Sequence, residues 1–155
     1  MPDPSYYATI GRENGRRLRG AVRHNLRCFW RAVDRRGIER ADVRERAETY
    51  EDVLDGSTRQ ELVGLAETSG LDYRDLVAFN LFEESVQPDG CTVAIAVGEA
   101  AASGDTVFFK QSDKKGADEF EGEEYHEHQQ INVIRIENPD DANKTVSVAA
   151  AGSTA

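Results

Sequence analysis

Between positions 12 and 36 the apolar residues fall at Leu18, Val22, Leu26, Phe29, Trp30 and Val33. Steps of three and four put them on one face of a helix, with arginines over the rest, and Gly37 stops it. Val43, Ala47, Tyr50 and Val53/Leu54 recur at the same spacing and predict a second helix over 41–54. Ser57 followed by Gln60 has the form of a capping box, opening a third helix through Leu62, Leu65 and Ala66 that Gly70 closes. Asp72 can cap a fourth helix over 73–84, whose apolar residues are Leu76, Val77, Phe79, Leu81 and Phe82.

At the turn formed by Pro88, Asp89 and Gly90 the period changes. Runs rich in β-branched and aromatic residues over 92–97 and 106–110 are spaced as a hairpin, and 130–137 with 145–150 forms a second pair. The stretch 112–129 between the pairs is too polar for a core and reads as a loop. Helices first and then consecutive strands give an α+β fold with an antiparallel sheet. Such a sheet has an apolar face, yet little chain follows to cover it. The expectation is therefore one domain over 1–155, cut short, with a helical segment to 90 and the start of a β segment from 91.

Charge refines this picture. The 155 residues carry a formal net charge of −10, while 39% apolar residues keep the chain out of the disordered class. Positions 1–50 hold 12 arginines against 7 acidic residues, a net of +5, and the remainder carries −15. The arginines are interleaved with Glu and Asp along helices, the pattern of a solvated, ion-paired face. With no aromatic platform beside them, nucleic acid is not an expected partner. An acidic surface with only 4 lysines suits a halophilic protein that stays hydrated in high salt. The first residues lack the apolar core of a signal peptide, and no run is long enough to span a bilayer. The expected setting is cytoplasmic, with no membrane partner.

The 2 cysteines are too few for a disulfide scaffold. Cys28 adjoins the apolar stripe of the first helix and reads as packing. Cys91 is different. In "QPDGCTVAIAV", over 87–97, a Pro-Asp-Gly turn runs directly into a cysteine that heads an apolar strand. Taken alone, that cysteine is a small buried hydrophobe.

Its neighbours suggest more. The stretch "LVGLAETSGLDYRDLVAFNLFEE" (62–84), then "DGCTVAIA" and "FFKQSDKK", resembles the front half of the acyl-coenzyme A:isopenicillin-N acyltransferase family. The opening "IGRENGRRLRGAVRHNL" is similar to that family's first helix, so the resemblance runs from about position 10 to 155. It implies an autoproteolytic cysteine acyltransferase or amidohydrolase with an N-terminal-nucleophile αββα sandwich, of which this chain holds the first part.

The resemblance further implies cleavage between Gly90 and Cys91, with Cys91 the nucleophile. Glycine suits the position before the cut, because it tolerates strained backbone and leaves its carbonyl open to attack. Thr92 would support the junction. Asp113 matches the family's acidic residue after the second strand and would orient or charge-stabilise the new amine. Asn132, Asn138, Asn143 and Arg135 are given no role, since the family's oxyanion and substrate groups lie later in the chain. The implied partners are a small-molecule acyl donor (an amide or acyl thioester) and a water or amine acceptor, with no cofactor. His126 and His128 would share one face of a strand, but no third ligand stands at a defined spacing, so a charged loop is expected and no metal. The alternative is an inactive fragment that self-associates, or that needs a partner to complete its sheet.

Overall fold

A computed structural model describes residues 4–86, 90–102, 104–113, 130–138 and 144–154, with side chains for 5–82, 94–102, 104–108, 130–138 and 144–154. Five helices precede four strands: α1 (Pro4–Arg17), α2 (Arg19–Arg35), α3 (Arg40–Tyr50), α4 (Gly56–Ser69), α5 (Tyr73–Val86), β1 (Gly90–Ala96), β2 (Val107–Asp113), β3 (Asn132–Glu137) and β4 (Thr145–Ala150). The fold is α+β, and the strands form two separate antiparallel ribbons, β1–β2 and β3–β4.

The stripe read from positions 12–36 belongs to two helices rather than one. The backbone leaves helical geometry at Leu18 (φ −106°, ψ 8°). The ladder survives the bend, since Leu18 N–H donates to Asn14 O at 2.8 Å and Val22 N–H to Leu18 O at 2.9 Å. Packing explains the bend. Helix α1 lies against α4 at a distance only glycine permits: a Cβ on Gly11 would sit 2.0 Å from Glu61 O, and one on Gly64 2.3 Å from Ala8 O. Helix α2 instead turns Val22, Leu26, Phe29, Trp30 and Val33 into a core shared with Leu62, Leu65, Leu76 and Phe79. One straight rod could not serve both contacts.

Two helix ends confirm the reading of 57–84 and one corrects it. Gly70 closes α4 in the left-handed region (φ 66°), and Asp72 Oδ1 accepts from Arg74 N–H at 2.8 Å at the head of α5. The cap of α4, however, is Asp55 and not Ser57. Asp55 Oδ1 accepts from the N–H groups of Ser57 (2.8 Å) and Thr58 (3.0 Å), and both hydroxyls also donate to this carboxylate. A carboxylate with four donors outcompetes a serine hydroxyl at the same helix start. Helix α3 also ends earlier than expected, with a single 3₁₀ turn, Glu51–Val53, following it.

Ribbon β3–β4 is clamped to the helices by two asparagines. The fully buried Asn25 donates from Nδ2 to the carbonyls of Ile131 and Ala151, both at 2.9 Å, and accepts from Ile131 N–H at 2.8 Å. Asn80 Nδ2 donates to Gly152 O at 2.9 Å, while its Oδ1 accepts from Thr154 N–H at 2.9 Å. Each amide satisfies backbone groups that burial would otherwise orphan. Among the described residues, no helix is long and apolar enough to cross a membrane.

Candidate functional site

Ribbon β1–β2 carries the residues singled out by the sequence. Both strands are longer than expected, β1 reaching back to Gly90 and β2 forward to Asp113. The register pairs Gly90 with Asp113, Cys91 with Ser112 and Thr92 with Gln111. The Gly90–Cys91 peptide bond therefore stands at the open end of the ribbon, where Asp113 is the facing position of the partner strand. The turn that leads into it, 87–89, lies outside the described residues, as do His126, His128 and Asn143.

The hairpin closes at its other end through 97–106. Gly98 (φ 59°) and Gly104 (φ 76°) supply the left-handed conformations this reversal requires. Between the two ends the ribbon presents Ile95 opposite Phe108, exposed to 60% and 61%. Backbone pairing, not sequence proximity, brings Asp113 next to a junction 22 positions earlier in the chain.

A second polar cluster joins the helices to β3–β4. Glu61 on α4 is buried, and Arg135 on β3 reaches it with both terminal nitrogens, Nη1 lying 2.8 Å from Oε1. Arg135 Nε also donates to Glu137 Oε1 at 2.6 Å. Burial outweighs the pull of Arg135 and holds the Glu61 carboxyl above the usual carboxylate range. Thr145 Oγ1 and Asn14 Nδ2 complete the set, at 3.3 Å from Glu137 and 3.5 Å from Glu61. Glu61 and Arg135 themselves line a groove of about 320 Å³, together with Asn14, Arg17, Leu65 and Thr154. Arg135 is shared between the two carboxylates and ties α4 to ribbon β3–β4. Nothing in the sequence links Glu61 to Arg135, which lie 74 positions apart.

Cys28 is 3% exposed within the helical core, with Sγ 3.5 Å from His24 Nε2. Among the described residues no group of three or more His, Cys, Asp or Glu could hold a metal ion. No family model, curated protein or solved structure matches the chain.

Proposed function

We propose that this chain carries the self-cleaving junction of an N-terminal-nucleophile cysteine acyltransferase or amidohydrolase, with Gly90–Cys91 as the scissile bond. The observation that carries the reading is the register of β1–β2, which sets Asp113 across from Gly90. In this reading the ribbon supplies the first strands of an αββα sandwich.

The chemistry proceeds in two stages. In the first, the Cys91 thiolate attacks the Gly90 carbonyl carbon. The C–N bond breaks as the C–S bond forms, and the former amide nitrogen takes up the thiol proton. Water then hydrolyses the thioester, leaving a carboxylate on Gly90 and a free α-amine on Cys91. In the second stage that amine, with a reference pKa of about 7.7–8.0, takes the proton from its own thiol near neutral pH. The thiolate attacks an amide or acyl thioester, the leaving group departs with the proton, and the acyl-enzyme passes its acyl group to water or to an amine. Asp113, a positioning residue, holds the ammonium form that arises in each cycle. No histidine is needed.

The test is the intact mass of the purified protein followed over time. The expected products are two chains, 1–90 and 91–155, whose masses sum to the parent plus one water. Cys91→Ala stays whole. A wild-type chain that remains uncut under the same conditions overturns the proposal.

A further inference from the structure

Most arginines of the helices are held by carboxylates. Arg12 pairs with Glu67, Arg40 with Asp34, Arg44 with Asp75 and Arg74 with Glu48. Arg19, Arg23 and Arg27 depart from that rule, since they make no hydrogen bond or ion pair among the described residues. The ion-paired face expected of the arginines is therefore not formed here. All three are exposed and follow one another at four-residue steps on α2, about 6 Å apart along the helix axis. Arg31 and Arg35 continue the row. Helix α2 carries one acidic residue, Asp34, and Arg40 already holds it, with Nε 2.8 Å from Oδ1.

Such a row carries a cost. Residues four apart are neighbours on a helix surface, and like charges at that spacing repel. On a chain of net charge −10, unpaired positive charge gathered in one row marks a surface for an anion.

The guanidinium also limits what that anion is. Apolar cover would leave its five donors unmet, whereas a carboxylate accepts two of them in a planar fork. Whatever meets the row therefore brings negative charge. Length narrows the choice further. From Arg19 to Arg27 the row spans about 12 Å, room for a few contacts rather than the roughly 6–10 phosphates a nucleic-acid binder engages. A long polyanion would also run on over a molecule whose positions 51–155 carry −15. The aromatic side chains of α2, Phe29 and Trp30, are buried and offer no platform for bases.

We infer that Arg19, Arg23 and Arg27 dock a short acidic helix of a partner protein, with carboxylates at four-residue spacing. Such a helix repeats its charges at the same step of about 6 Å, so each guanidinium meets one carboxylate. The inference is independent of the junction chemistry, because α2 lies wholly upstream of Gly90.

Fluorescence anisotropy of the full chain at low salt tests it. The probe is a labelled peptide of about 20 residues that repeats Glu-Ala-Ala-Ala, long enough to form a helix. Saturable binding that weakens as KCl rises is expected. Arg23→Glu raises the dissociation constant at least tenfold and still folds, since the residue is exposed and unpaired. Arg46→Glu, which changes an exposed arginine on α3, leaves binding unchanged. An isomer of the peptide with its glutamates grouped at one end binds at least fivefold more weakly. No saturable binding of the repeating peptide at low salt overturns the inference. So does binding that Arg23→Glu leaves intact, or that Arg46→Glu weakens as much. Equal affinity for the grouped isomer also overturns it, as does tighter binding of a single-stranded oligonucleotide of the same charge.

Discussion

Asp55 gathers the N–H groups and hydroxyls of Ser57 and Thr58 at the start of α4. Its four donors pull the carboxyl down to about 2. Because this value lies below that of an unfolded aspartate, near 3.9, the stabilisation is fully present above about pH 4 and is lost as pH falls toward 2. Asp55→Ala is expected to lower stability by about 1 kcal/mol at neutral pH, the usual worth of a helix cap, and by much less at pH 2. Urea denaturation of both proteins at the two pH values checks this. An equal loss at both would mean that the charge of Asp55 is irrelevant. The sequence placed the cap at Ser57 because a capping-box pattern was available there; a carboxylate two residues earlier, free to gather both hydroxyls, is the stronger acceptor.

Among the elements, the contact of α1 with α4 depends on hydrogen atoms standing where side chains would be. A methyl group on Gly64 would meet the Ala8 carbonyl at 2.3 Å, and one on Gly15 would meet Thr68 Oγ1 at 2.1 Å. Gly64→Ala should therefore cost about 1–3 kcal/mol through forced separation of the helices, despite the better helix propensity of alanine. Gly20 in α2 has nothing within 4 Å of the same atom, so Gly20→Ala should stabilise by about 0.5–1 kcal/mol. Thermal melts of the two variants separate packing from propensity. If both move in the same direction, the close approach is not what holds the pair.

How much was legible follows the same division. Four helical regions and two hairpins stand in the sequence because periodicity and turn residues are local signals. The bend at Leu18 is not local, since it reconciles a glycine contact with α4 and a core contact with α5. The strands' extension to Gly90 and Asp113 also escaped a reading that ended them at 92 and 110. Polar residues such as Gln111 and Ser112 carry little β signal, and only cross-strand pairing defines their place. Asn25, Asn80 and the Glu61–Arg135 pair give no sequence signal, because their partners lie 72 to 126 positions away.

For the molecule as a whole, net charge governs the response to salt. A net charge of −10 on a chain with 4 lysines disfavours compactness through self-repulsion, and that cost falls as salt shortens the screening length to about 3 Å at 1 M. The unfolding midpoint should accordingly rise as KCl is raised from low to molar concentration, and a fall would count against adaptation of this surface to salt.

The central claim concerns one peptide bond, and N-terminal sequencing of the aged, purified chain tests it most directly. Self-cleavage at Gly90–Cys91 yields a new terminus reading Cys-Thr-Val-Ala-Ile, absent from Cys91→Ala. An intact chain that yields only its original terminus after prolonged incubation in molar KCl, or a cut at any other bond, would contradict it.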